Sequence, residues 1–342
     1  VKGVLDIPPE LVPVAEMIAA GLARVVARFD RALATDLPPV EQLCRHVEGY
    51  RGKMLRPSLV FVCGAAADPR AGSEPVERLV GETHDVLGAV IEMVHMATLV
   101  HDDVLDEADV RRRATTVNRL YGNETAVMLG DLLISNAFHL CSTLGSQRYS
   151  QAVGRASAVL CAGELLQLHH REDYSLDEPT YYEIVERKTA ELIACACELG
   201  AAASGGREEW VAACGVYGRR VGVAFQIQDD VLDLTGSVAT VGKSVGKDLE
   251  KGKATLPLIH HLAHASQAVR GRTLMLLEAT SIDASAARLV REAMDATGSV
   301  AYARATAQRL VDEAKAAAGL LPASEARSML MAMADAVVAR EH

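Results

Sequence analysis

The pentapeptide Asp-Asp-Val-Leu-Asp stands twice in this 342-residue chain, at Asp102–Asp106 and at Asp229–Asp233. Each copy follows an apolar run, Met96–Val100 or Val221–Ile227, the second broken by Gly222 and Gln226. Each is therefore read as the polar end of a buried helix. Positions i and i+4 share a helix face, so Asp102 lies beside Asp106 and Asp229 beside Asp233. Two carboxylates ~4 Å apart repel by about 4 kcal/mol at an effective dielectric near 20. Six of them in one cavity need cations, or several must stay protonated. Hard oxygen ligands from few side chains, with room for water and phosphate oxygens, suit Mg²⁺ better than zinc or a closed calcium cage. The alternate acids and central glycine of a calcium-binding loop are missing. The repeat predicts a metal–diphosphate site built from two facing helices.

Composition narrows the class. Half the residues are hydrophobic and 23% are charged, enough apolar material for a large core. A net charge of −10 argues against nucleic-acid binding and against a polybasic membrane anchor. Seven cysteines (44, 63, 141, 161, 195, 197 and 214) include no CxxC pair, which fits reduced thiols in a cytoplasmic protein. Asp6, Glu10 and Pro13 interrupt any signal-peptide pattern at the start. No run of eighteen uncharged apolar residues occurs, so a soluble protein without a transmembrane segment is expected.

Helical spacing dominates, over Leu11–Leu33, Arg56–Ala67, Pro75–His101, Ala126–Leu144, Gln151–Leu168, Thr180–Ala203, Glu208–Leu234, Leu256–His264 and Ser285–Ala318. Strand patterns are nearly absent. The expected fold is all-α: a single bundle of long, mostly antiparallel helices around a central cavity, one domain over 1–342. Thr235 to Gly252, with four glycines and four lysines counting through Lys253, reads as a lid that closes over phosphate. Two basic groups supply counter-charge: Arg111, Arg112 and Arg113 after the first acid motif, and Arg51-Gly52-Lys53-Met54-Leu55-Arg56-Pro57. Arginine forks match phosphate oxygens and lysine acts as a point charge, so together they point to two anionic substrates.

With these pieces in order the chain resembles the trans-prenyl diphosphate synthases, the polyprenyl synthetase family, from about Gly49 to the carboxyl end. The motifs that carry the resemblance are Gly52-Lys53-x-x-Arg56-Pro57; Asp102-Asp103-x-x-Asp106 with Arg111-Arg112; Gly130-Asp131; Gly163-Glu164-x-x-Gln167; and Lys188-Thr189. They continue with Phe225-Gln226-x-x-Asp229-Asp230-x-x-Asp233, Gly242-Lys243-x-x-Gly246 and Gly252-Lys253-x-Thr255-Leu256-Pro257. The resemblance implies an isoprenoid-synthase bundle that condenses isopentenyl diphosphate head to tail with an allylic prenyl diphosphate and releases pyrophosphate. It implies that Asp102, Asp103 and Asp106, with Asp229, Asp230 and Asp233, hold Mg²⁺, three ions per active site. Arg111, Lys188, Lys243 and Lys253 then contact the allylic diphosphate. Lys53, Arg56, His95 and Arg112 hold isopentenyl diphosphate, with Phe225 bordering its hydrocarbon. Lys188, Thr189, Gln226 and Lys243 serve catalysis, Thr189 and Gln226 as dipoles near the developing cation. A homodimer is implied as well. Met54 stands where many relatives are basic, Arg113-Ala114 replaces Gly-Lys, and Lys247 replaces an acid, which puts affinities rather than activity in question.

In this family the growing tail runs toward the amino end of the first acid-motif helix. Thr98 and Ala97 lie roughly 6 and 7.5 Å below Asp102, with Val94, Met93 and Val90 deeper. None carries a ring, and Phe138 is a candidate deeper stop. A product longer than fifteen carbons is expected, with geranylgeranyl diphosphate the alternative. A class I terpene cyclase is the nearest rival, but its pockets are ring-lined and only 4% of residues here are aromatic. A non-catalytic partner subunit is a further rival, although both acid motifs are intact. His260-His261-x-x-His264 and His169-His170 are read as exposed or capping rather than as metal ligands.

Overall fold

The computed structural model describes residues 8–112, 114–235, 246–279 and 284–340. Among these, helix follows helix: α1 Val12–Ala32, α2 Pro38–Glu48, α3 Leu55–Ala67, α4 Glu82–Leu105, α5 Val117–Tyr121, α6 Asn123–Ser142, α7 Gln147–His169 and α8 Glu178–Val185. The order continues with α9 Glu191–Ala203, α10 Glu208–Thr235, α11 Lys247–Glu250, α12 Leu256–His264, α13 Gln267–Leu277, α14 Ala284–Ala296, α15 Ser299–Ala318 and α16 Glu325–Val338. One two-stranded ribbon interrupts them, β1 Val110–Arg111 against β2 Ala114–Thr115, antiparallel. The all-α expectation holds.

By packing, the chain forms two compact units. The first comprises Val1–Ser157, Leu192–Gly215 and Ala318–Leu330. Its centre is α4, which packs on α1, α3 and α6. Nearly every residue from His84 to Ala97 is buried, including the acidic Asp85 and Glu92. A helix apolar on all sides belongs in a core, which is why its hydrophobic pattern lacks a clear stripe. Glycines let neighbours approach. An added Cβ at Gly130 would overlap the His101 ring, and one at Gly200 would overlap the Val60 backbone. Cys63, Cys197 and Cys214 are buried, and burial with mutual hydrogen bonding pushes the Cys63 thiol well up.

The second unit comprises Ala158–Glu191, Val216–Ala317 and Met331–His342. Asp177 caps α8 by accepting a hydrogen bond from Thr180 N at 2.9 Å. A π-helical turn, Glu186–Ala190, follows α8 directly. The His260-His261-x-x-His264 cluster is structural. His261 is fully buried, with Nδ1 2.9 Å from Thr297 Oγ1 and Nε2 2.9 Å from Thr273 Oγ1. The His260 ring stacks on both His264 and Tyr302 with centroids 4.1 Å apart. Only His264 keeps the expected exposed position, its Nδ1 2.9 Å from the His260 carbonyl. His170 pairs with Asp173 at 2.9 Å.

Several boundaries differ from the sequence reading. The helix expected over Pro75–His101 starts at Glu82 and runs through the first acid motif to Leu105. The Thr180–Ala203 helix contains the π turn. Ser285–Ala318 breaks at Gly298, whose φ of 70° a helix cannot absorb. Helices α2, α13 and α16 were not anticipated. They are short and amphipathic, or rich in Arg and Ala, so their apolar repeats are brief. By length and composition, α6 is the one helix among the described residues that could cross a membrane. It carries Glu124 and Asp131, and 33% of its apolar window is buried.

Gly200→Ala should destabilise the protein by about 1–3 kcal/mol, because the Val60 backbone cannot move aside as a side-chain end can. Urea unfolding of the two proteins checks this. His84 supplies a pH dependence. It is buried; its Nδ1 accepts from Gly81 N at 3.1 Å and its Nε2 faces the Gly200 carbonyl at 3.2 Å. Burial lowers its pKa to about 4. The native state thus refuses a proton that the unfolded chain takes near pH 6.5. The stabilisation, about 3 kcal/mol, is complete above pH 6.5 and is lost as pH falls toward 4. The loss of stability between pH 7 and 4.5 should be shallower in His84→Gln than in the parent, as read from urea midpoints.

Candidate active site

In the first unit, α4 ends at the first acid motif. Asp103 is 1% exposed, Asp102 and Asp106 are partly exposed, and Asp106 N closes the last turn on the Asp102 carbonyl at 2.8 Å. Asp103 Oδ1 accepts from Arg111 Nε at 2.8 Å. Its backbone carbonyl accepts from Ala108 N at 2.9 Å and from Asn118 Nδ2 at 3.1 Å. Burial raises the Asp103 pKa, and the neighbouring Arg111 opposes that rise. Asp103 Oδ2 is buried without a close hydrogen bond, although the Tyr50 hydroxyl lies near enough to lower that carboxyl's pKa.

The β1–β2 ribbon fixes the basic residues that follow. Arg112 sits at its turn with φ of 49°, and its guanidinium lies against Gly52, where a Cβ would overlap it. The Gly52-Lys53 turn and the Arg111-Arg112 turn, expected as separate basic groups, therefore meet. Met54, at φ 50°, precedes α3, and Arg56 at the start of that helix reaches His95 on α4, Nη1 to Nε2 3.1 Å. A guanidinium only donates, so Nε2 is the bare nitrogen of that ring. Burial first, then Arg56, Arg112 and Arg111, drive the His95 pKa well below its ordinary value. Lys53 is exposed. Glu92, one turn before His95, is 2% exposed within the field of Arg56, Arg112 and Arg51. Sequence reasoning did not single it out, since a lone Glu in an apolar helix carries no motif. Below the acid motif, Ala97, Val94, Met93 and Val90 are buried, and Thr98 Oγ1 donates to the His95 carbonyl at 2.7 Å. Phe138 is 36% exposed on α6, near Gly154.

In the second unit, a cleft is lined by Gln167, Arg171, Tyr181, Lys188, Thr189, Gln226, Asp230, Asp248, Lys253 and Thr255. The π turn builds one wall. It inserts a residue into the helical ladder, a distortion that recurs at functional sites, and holds Lys188 and Thr189 within it. Gly163 lets the Arg187–Lys188 backbone come close. Lys188 is ion-paired with Glu164, which also accepts from Gln167 Nε2 at 3.2 Å. Thr189 Oγ1 donates to Gln226 Oε1 at 3.1 Å, and Gln226 Nε2 donates to Asp230 Oδ1 at 2.9 Å. Tyr181 Oη donates to Asp230 Oδ2 at 2.7 Å. Asp230 is 4% exposed; burial and the nearby Asp248 push its pKa up to about 8. Burial, then Asp248, also raises Asp233, whose Oδ2 accepts from Asp248 N at 3.0 Å. Asp229 pairs with Arg340 Nη1 at 3.1 Å, and the Arg340 guanidinium stacks over Phe225, 4.5 Å from the ring centroid. Lys253 Nζ is 3.8 Å from Asp248.

Tyr181, Asp248 and Arg340 were not anticipated. The first two lie within or beside recognised motifs, but Arg340 is remote in sequence from everything it touches. Lys243 and residues 236–245 of the expected lid, together with Arg113, lie outside the described residues. No three Asp, Glu, His or Cys side chains close into a ready metal cage among the described residues. The donors fit a hard cation that also takes oxygens from a bound diphosphate. They are carboxylates, one with a buried oxygen lacking a close hydrogen bond and two others made reluctant to ionise by their surroundings.

Buried acids beside cationic side chains on an all-helical scaffold agree with what the resemblance to the trans-prenyl diphosphate synthases implies. A family model described as polyprenyl synthetase matches residues 38–295. Octaprenyl diphosphate synthase of Escherichia coli (strain K12) is 34% identical over 335 residues, 95% of this chain and 98% of that protein. A crystal structure of a decaprenyl diphosphate synthase from Rhodobacter capsulatus has a TM-score of 0.88 at 32% identity, covering 97% and 99% of the two chains. Polyprenyl synthase from Caulobacter crescentus, complexed with calcium and isoprenyl diphosphate, has a TM-score of 0.85 at 32% identity, covering 97% and 98%. The chain belongs to the polyprenyl synthetase family. It is a prenyltransferase.

Gly52→Ala should force the Arg112 guanidinium off its seat. We expect the KM for isopentenyl diphosphate to rise about tenfold and the KM for the allylic substrate to stay within twofold, the loss of one charge-assisted hydrogen bond being worth about 1.5 kcal/mol. Steady-state kinetics with each substrate varied in turn checks this.

Proposed function

We propose that this protein condenses isopentenyl diphosphate with an allylic prenyl diphosphate, head to tail, to give an all-trans prenyl diphosphate longer than fifteen carbons. The observation that carries this reading is the second-unit cleft, where buried Asp230, the Thr189–Gln226 pair and the cations of Lys188 and Lys253 converge. The long-chain products named for the relatives support the length. Residues 1–342 then serve as one catalytic domain.

Asp102, Asp103, Asp106, Asp229, Asp230 and Asp233 would hold magnesium, three ions per active site. Magnesium, when bound, neutralises charge that gathers on the leaving diphosphate. Arg111, Lys188, Lys243 and Lys253 grip the same group and stabilise its developing charge electrostatically. Thr189 and Gln226 place dipoles near the allylic cation that forms as the diphosphate departs. Lys53, Arg56, His95 and Arg112 hold the isopentenyl diphosphate so that its double bond lies in line, an entropic contribution. A neutral His95 can offer Nδ1–H to phosphate without adding charge. The tail extends beside Thr98, Ala97, Val94, Met93 and Val90 toward Phe138. Two copies pair through the apolar side chains that α5 and α6 leave exposed, Leu120, Tyr121, Val127 and Met128. Geranylgeranyl diphosphate as sole product is the second reading; small side chains at 97 and 98 favour the longer one.

Product sizing tests this. Purified protein is incubated with Mg²⁺, labelled isopentenyl diphosphate and dimethylallyl, geranyl, farnesyl or geranylgeranyl diphosphate. A ladder beyond twenty carbons is expected, abolished by EDTA, and Ala97→Phe should shorten it to fifteen or twenty. No elongation from any primer overturns the reading, and an unchanged ladder in Ala97→Phe overturns the tail assignment.

A further inference from the structure

Arg340 follows α16 by two residues and, among the described residues, makes three contacts with the helix that bears the second acid motif. Its Nη1 lies 3.1 Å from Asp229 Oδ1, an ion-pair distance at an angle that makes no hydrogen bond. Its guanidinium covers the Phe225 face at 4.5 Å. Its carbonyl accepts from Gln228 Nε2 at 3.1 Å. The backbone bond and the ring stacking seat the arginine independently of the ion pair. The guanidinium is therefore placed beside Asp229 by contacts of its own. Both partners are partly sheltered, with side chains 23% and 38% exposed.

We infer that Arg340 is a resident counter-ion for Asp229, one that a divalent cation must displace, so that this residue sets the cation affinity of the second acid motif. The inference rests on the proposed role of Asp229 as a metal ligand. The physical reason is competition for one carboxylate. The guanidinium charge 3.1 Å from Oδ1 repels an arriving cation and competes for the same carboxylate, so part of the ion pair's free energy subtracts from that of metal binding. Stacking on Phe225 gives the displaced arginine a place to remain, since cation–π contact does not depend on the carboxylate.

The test is Mn²⁺ binding to the full chain without substrate, with free ion counted by electron paramagnetic resonance, for the parent, Arg340→Gln, Arg340→Lys and Asp229→Asn. Arg340→Gln should bind Mn²⁺ about fivefold tighter, the upper range for a partly exposed ion pair. Arg340→Lys, which keeps the charge, should stay within about twofold of the parent, and Asp229→Asn should bind at least fivefold more weakly. The Arg340→Gln gain should shrink as salt screens the pair. Unchanged or weaker binding in Arg340→Gln, or equal tightening in Arg340→Lys, overturns the inference. If Asp229→Asn leaves Mn²⁺ binding unchanged, the ligand role of Asp229 fails and takes the inference with it. If Asp229→Asn weakens binding while Arg340→Gln does not tighten it, the inference alone fails.

Discussion

Burying ionisable carboxylates at the ends of apolar helices is the constraint around which this molecule is arranged. An uncompensated charge out of water costs several kcal/mol, and Asp103 and Asp230 are 1% and 4% exposed. The two are compensated differently. Asp103 keeps a cation within bonding distance, Arg111, and burial still raises its pKa. Asp230 has a neutral tyrosine and a neutral glutamine instead, and leans toward protonation. The same sequence motif thus presents two carboxylates of different basicity. The cause is the shell of side chains around each.

Several of the residues proposed to act lie where local structure is irregular. Lys188 and Thr189 sit in a π turn, Arg112 in a left-handed ribbon turn, and Met54 in a left-handed residue before α3. Each irregularity aims a side chain or amide in a direction that regular helix would forbid, and each is supported by close packing. Gly163 accommodates the π turn and Gly52 accommodates the guanidinium. Strain of this kind persists only where surroundings over-determine it.

The fold and the acid motifs were legible because both rest on short-range pattern. Apolar periodicity announces long helices, and the doubled pentapeptide at the ends of two of them announces the chemistry. Boundaries failed where glycine or proline breaks a run at a point that periodicity alone bridges, as at Gly298 and between Pro75 and Gly81. The ribbon at Val110–Thr115 was missed because two residues per strand carry no alternation. Tyr181, Asp248 and Arg340 were missed for another reason. Their importance lies in whom they touch, and Arg340 is separated from Asp229 by over a hundred residues. Pairings at such separation have no local signature. The histidine cluster shows the converse: His260-His261-x-x-His264 looks exceptional as text, yet hydroxyls and stacked rings account for it as packing.

The seat of Arg112 on Gly52 has a consequence for how the enzyme comes into being. The two residues lie about sixty positions apart, and joining them closes a loop whose entropy must be recovered elsewhere. The basic surface cannot exist in a chain that has formed only its local helices. The Arg112 guanidinium is therefore seated only once the ribbon docks on the Gly52 turn. A ligand that recognises only that finished surface will draw the population toward the native state by mass action.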